Sequence, residues 1–249
     1  MSVVSIVLLG FGLADLASAS LPARARPVTV AAVIALWLVA GAYVLGLVSW
    51  QPWALGAVML VLLGAWLVAE ADSATNAGGG VVAPRRQLAL VSGVVALSLI
   101  LAGGFPDVGG PFARWFARLP LNVVQHVSPA QAALAVAAAV FMLHSTNRII
   151  RLVLAVVGAE IEAGQNKLKG GRYIGPIERL IVAALILAGS LAGAGLIIAA
   201  KGFIRLPEIR SETEKKDGAG DSVAEYFLIG TLTSIAIAAA LAALILAAY

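Results

Sequence analysis

The stretch KLKGGRYIGPIERLIVAALILAGSLAGAGLIIAAKGFIRLPEIR, Lys167–Arg210, decides how this chain is read. Lys167, Lys169, Arg172, Glu178 and Arg179 precede, and Lys201, Arg205, Glu208 and Arg210 follow, 21 residues that carry no charge, Leu180 to Ala200. An apolar run of that length matches the hydrocarbon thickness of a bilayer, which takes about 20 helical residues to cross. Two readings of it stay open. In one it is a continuous crossing, with Gly189 and Gly193 as a GxxxG packing face. In the other it enters and returns as a re-entrant helical hairpin over about 178–204, bent near Gly189-Ser190-Leu191-Ala192-Gly193.

Composition sets the class around that stretch. The 249 residues are 61% hydrophobic and 12% charged, against about 45–50% and about 25% in soluble domains, and mean hydropathy is +0.99. The expectation is an all-α, polytopic transmembrane helix bundle of about six or seven membrane segments, one integral membrane domain over 1–249. The apolar runs are too long and too little alternating for barrel strands. There is no cysteine, which excludes disulfides, thiolate catalysis and cysteine metal sites. The net charge of +4 reads as Lys/Arg-rich cytoplasmic loops and not as a nucleic-acid surface.

In chain order, residues 2–20 predict a retained first helix, because no positive segment precedes the apolar run as a signal peptide requires. Asp15 near its end is placed at the interface. Helices follow over about 28–49 and 53–68, with Trp50 and Trp53 bracketing the turn between them. A Gly-rich loop spans 70–87, and a fourth helix about 88–104. Phe112, Trp115, Phe116 and Leu119, with Arg114 and Arg118 between them, suggest a short amphipathic interfacial helix. Pro129 starts a fifth crossing to about 157, along which His144, Asn147, Arg148 and Arg151 share one side as its basic end leaves the bilayer. Residues 207–222 read as a solvated loop, and about 223–246 as the last crossing.

Charge counting bears on the central stretch. A single crossing of Leu180–Ala200 leaves 10 Lys/Arg on one side and 7 on the other, whereas a returning hairpin leaves 15 against 2. The hairpin satisfies the positive-inside rule better. Apolar continuity favours the single crossing and is the stronger of the two signals.

Lys169-Gly170-Gly171-Arg172, Gly175 with Glu178-Arg179-Leu180, Ala199-Ala200-Lys201-Gly202 with Arg205, and Ala224-Glu225-Tyr226-Phe227-Leu228-Ile229-Gly230-Thr231 together carry a likeness. Over about 165–235 the chain resembles a bacterial, actinobacterial-like family of integral membrane proteins of unknown function, which shares Gly12-Leu13-Ala14-Asp15 near the start. The resemblance implies a multi-pass protein of the bacterial plasma membrane and a shared site, and brings no activity with it.

The candidate site residues follow from charge at membrane depth, where ionisable groups pair or serve ion pathways. Glu178, Arg179, Lys201, Arg205 and Glu225 are expected to form a polar cluster at the cytoplasmic mouth. Lys169, Gly170, Gly171 and Arg172 offer N–H groups and positive charge to an anion or an anionic lipid headgroup, without the spacing of a phosphate loop. No catalytic or metal constellation is evident: His126 and His144 stand apart without HExxH, and Ser145 beside His144 points about 100° away on a helix. No cofactor is implied. The chain therefore points away from an enzyme, towards small-solute or ion transport or binding. The alternatives are an accessory subunit packing against a membrane partner or another copy, and a lipid-phosphate-active enzyme.

Overall fold

In the computed structural model the first apolar stretch is a helix, α1 (Ser2–Ala19), rich in Val, Leu and Ala and free of proline. The structure describes residues 2–19, 26–46, 58–59, 62, 82–101, 109–120, 126–157, 171–215 and 220–248. Most of the helix expected over 53–68, residues 70–81 of the expected loop, and Lys167 to Gly170 lie outside them, while 82–87, expected in that loop, are helical and open the next helix. All regular structure among the described residues is helical. The chain divides into two compact units, Met1–Ser145 with Ile245–Tyr249, and Thr146–Leu244.

In the first unit α1 packs against α2 (Arg26–Val44), α3 (Val82–Leu101) and α5 (Pro129–Leu143). Small residues on α1 set the approach: a Cβ at Gly10 would stand 2.8 Å from the Trp37 ring, and one at Gly12 2.9 Å from Val140. Trp37 Nε1 donates to the Ile6 carbonyl at 3.0 Å, and Phe11 lies against Phe141 with ring centroids 5.6 Å apart. Asp15 is 4% exposed, inside the unit and not at its edge. The aromatic segment is helical over part of its expected length: α4 (Gly110–Phe116) stacks Phe112 on Phe116 and ends before Arg118 and Leu119. The start of α5 follows its sequence, with Pro129 at the first turn and a reciprocal capping box in which Gln131 N donates to Ser128 Oγ and Ser128 N to Gln131 Oε1. The fifth predicted segment is not one helix, because α5 ends at Leu143 and His144 leaves helical geometry.

The second unit comprises α6 (Ser145–Val157), counted from Thr146, then α7 (Gly171–Leu187), α8 (Leu191–Lys215) and most of α9 (Gly220–Ala247). The stretch 180–200 is broken, which corrects the continuous-helix reading. Gly189 takes φ +76°. Its N–H donates to the Ile186 carbonyl at 2.9 Å and Ser190 N–H to the Leu185 carbonyl at 2.8 Å, the pair of bonds that defines a Schellman stop. Gly193 then sits over Leu185, and α8 runs back along α7. Nor is 207–215 a loop: α8 continues through Pro207 to Lys215, carried by the strong helix formers Glu212, Glu214 and Lys215.

Glu225–Ala247 is the one described helix that is by itself long and apolar enough to cross a membrane, with mean hydropathy 2.3. The pair meeting at His144 passes as a second if counted as one span, and Val4–Ala17, Val28–Gly41 and Leu191–Ile204 are shorter apolar helices.

Candidate functional site

The first unit offers an apolar cleft lined by Val7, Leu8, Phe11, Val91, Val94 and Phe141, and none of the described residues that line it is ionisable. Polar side chains converge in the second unit instead. On α7, Arg179 shares one helix face with Val182 and Ala183, and all three are buried. That face is apolar for most of its length, so the guanidinium is carried into the interior by the same periodicity that buries its neighbours.

Two other helices meet Arg179 there. Its Nη2 donates to Asn147 Oδ1 of α6 at 2.6 Å, and its Nη1 donates to Ser234 Oγ of α9 at 3.3 Å. Arg179 is 3% and Ser234 6% exposed. The two bonds tie α6, α7 and α9 through one cation. A planar guanidinium suits this, since its fixed fork of donors spans acceptors on separate elements as an ammonium cannot.

Beside it, on the preceding residue of α7, Glu178 Oε2 accepts from Lys201 Nζ of α8 at 2.6 Å. The pair joins the two arms of the hairpin. Its side chains are 13% and 23% exposed, so the pair is shielded more than a surface ion pair, and removing one partner costs more than at the surface. The second carboxylate oxygen, Glu178 Oε1, is buried with no hydrogen-bond partner.

The structure thus distributes the predicted cluster. Glu178 and Lys201 meet, and Arg179 is adjacent but directed to Asn147 and Ser234. Arg205 lies on α8 with its side chain outside the described residues. Glu225 is exposed on α9, and no described bond links it to Glu178, Arg179 or Lys201. Of the anion-contact set, Lys169 and Gly170 fall outside the described residues, while Gly171 and Arg172 open α7. Among the described residues no three His, Asp or Glu side chains gather as metal ligands.

Asn147 and Ser234 are the members that sequence reasoning left out of the cluster. Asn147 carried a signal, since it lies on the polar side of α6 with Arg148 and Arg151. Ser234 carried none, because serine is common on apolar membrane helices, where it bonds locally or across an interface. No family model matches the chain, and neither the curated proteins nor the solved structures contain a match.

Proposed function

We propose that the chain is a multi-pass helix-bundle protein of a bacterial plasma membrane, of about six or seven membrane segments, that binds or passes a small solute or ion through its second unit. The observation that carries this is Arg179: a buried cation held by Asn147 and Ser234, the latter on the helix that is itself long and apolar enough to span. Ionisable groups on membrane helices are costly, face the bundle interior and mark solute or ion pathways. The outward faces support a lipid surround. Leu191, Leu196, Phe203 and Ile204 of α8 and Leu228 and Leu232 of α9 are 55–75% exposed, and apolar side chains in such density suit acyl chains better than water. The resemblance over about 165–235 points to the same membrane, and anionic headgroups are the natural partners of Lys169 and Arg172.

Water access tests this reading. The native chain has no cysteine, so single Asn147→Cys and Ser234→Cys variants report on the site alone. Reaction of both with a small charged thiosulfonate in intact membranes, with the fully buried Ala238→Cys inert, is the expected result. Inertness of both, with Ser211→Cys reactive, overturns it. That outcome favours the accessory reading, which the open face at Gly195 also suits, since nothing stands within 4 Å of a Cβ there.

A further inference from the structure

We infer that the α7–α8 hairpin crosses the bilayer completely, so that its Ala188–Ser190 turn stands at the face opposite both hairpin ends and Arg179 and the Glu178–Lys201 pair lie at mid-depth. This rests on the membrane reading above, replaces the single crossing of 180–200, and gives the returning hairpin over about 178–204 a full crossing in place of a half-depth loop.

Two independent lengths agree on it. Along α9, Ser234 lies about 14 Å from Glu225, the last charge before the apolar run, at the helical rise of about 1.5 Å per residue. Arg179 is hydrogen-bonded to Ser234 and therefore sits at about that depth. Along α7, the turn at Gly189 lies about 15 Å beyond Arg179 at the same rise. The two lengths together come to about 29 Å, and the hydrocarbon core of a bilayer is about 30 Å thick. Counting back from Arg179 closes the other end, since Gly171, the first residue of α7, lies about 12 Å away, level with Glu225.

The turn itself argues for an aqueous face. Ala188, Gly189, Ser190, Leu191 and Ala192 are all exposed. The Schellman bonds satisfy the N–H groups of Gly189 and Ser190. Those of Leu191, Ala192 and Gly193, in the first turn of α8, have no intrahelical acceptor. Held at mid-depth against lipid they would each cost several kcal/mol, whereas at the far interface water takes them. Further charges bound the two arms at the near side, Arg172 on α7 and Glu208 and Arg210 on α8, and Arg205 stands between them and the pair, about 6 Å from Lys201. Glu178, Arg179 and Lys201, the charges nearest mid-depth, are buried, paired or hydrogen-bonded. A polar site at the midplane with a helix turn beyond it is where a solute moving between the two faces must pass.

Single cysteines at Ser190 and, independently, at the exposed Ala188, with Ser211→Cys and Gly220→Cys as references, decide the matter with a membrane-impermeant maleimide in intact cells and in inside-out vesicles. The expected result is labelling of Ser190→Cys and Ala188→Cys from the face opposite that of Ser211→Cys and Gly220→Cys. Labelling of all four from one face overturns the inference, as does a turn that reacts only after detergent, which is the half-depth loop. Both of those outcomes leave the membrane reading intact. Release of the wild-type protein from membranes by alkaline carbonate overturns the reading on which the inference rests.

Discussion

Gly189→Ala separates the hairpin from a continuous helix by the sign of one free-energy change. In the structure Gly189 holds φ +76° and a Cβ built there meets nothing within 4 Å. Sterics with neighbours therefore drop out and the backbone alone decides. An L side chain in the left-handed region costs about 1–2 kcal/mol, offset in part by about 0.4–1 kcal/mol from a less flexible unfolded chain. The net is a destabilisation of about 1 kcal/mol, roughly a fivefold shift in the folding equilibrium. In a continuous helix the same change would instead stabilise by about 0.8–1 kcal/mol, the helix-propensity difference between the two residues. Gly195→Ala is the internal control. Gly195 lies inside α8 with open space at its Cβ and should gain up to about 1 kcal/mol. The assay is unfolding by sodium dodecyl sulfate in mild detergent, followed by far-UV circular dichroism. Tryptophan fluorescence would be a poor reporter here, because the five tryptophans all lie at or before Trp115, outside the second unit. Stabilisation by Gly189→Ala equal to that by Gly195→Ala would refute the turn and every statement built on it.

The remaining predictions concern polar groups. Glu178→Ala and Lys201→Ala each remove one partner of a shielded pair and should cost about 2–3 kcal/mol, below the full penalty for a wholly buried pair because both side chains keep some exposure. Ile198→Ala should cost less than either, and equal losses at all three positions in a detergent melt would remove the case for the pair. Arg179→Ala strands Asn147 and the buried Ser234 without their donor and should cost about 3 kcal/mol, whereas Ser234→Ala, losing one bond at the long distance of 3.3 Å, should cost about 1 kcal/mol or less. The reverse order in the same unfolding assay would show that Arg179 is not what holds the three helices. In the first unit Ser128→Ala should lose about 1 kcal/mol through the α5 cap, and Ser128→Asp, which keeps an acceptor at the N-terminus, should lose much less.

Much of the helical framework was legible because apolar periodicity and the punctuation between elements agree. At Ser128-Pro129 a capping side chain, a residue with its φ already set and an apolar run coincide, and α5 starts there. At Gly189 the signals conflict. Glycine in a GxxxG spacing reads equally well as a packing face on a straight helix and as the residue that alone accepts φ +76°. What chooses between them is whether Leu185 and Ile186 carbonyls are capped by the following N–H groups, a matter of three-dimensional closure that leaves no mark on hydropathy. The break at His144 was hidden for a related reason, since polar residues at helical spacing continue the pattern across it. In the site, charge made Glu178, Arg179 and Lys201 visible, but charge does not say with whom each pairs. Arg179 turned to neutral oxygens on two other helices, and one of these, Ser234, sits in a run of Ile and Ala that looks like plain span.

The Glu178–Lys201 pair gains a role from its register that its energy alone would not suggest. Glu178 lies eleven residues before Gly189 and Lys201 eleven after Ser190, so the pair is symmetric about the Schellman turn. A hairpin of Leu, Ile, Ala and Gly has little else to fix the slide of one arm along the other, because small apolar side chains pack almost equally well a turn away. A charged pair does not tolerate such a slip, since moving either arm by one turn of about 5.4 Å would separate the ammonium from the carboxylate and leave both shielded from water. Fixing register is the best-attested use of a buried polar pair, and here the turn and the pair specify the same register independently. Their loss should therefore be coupled. With Gly189 replaced, the pair becomes the main constraint on the arms, and removing Glu178 as well should cost more than the sum of the two single changes. A double-mutant cycle on Gly189→Ala and Glu178→Ala in the dodecyl sulfate assay should show a coupling of about 0.5 kcal/mol or more, whereas strict additivity would reduce the pair to an isolated contact.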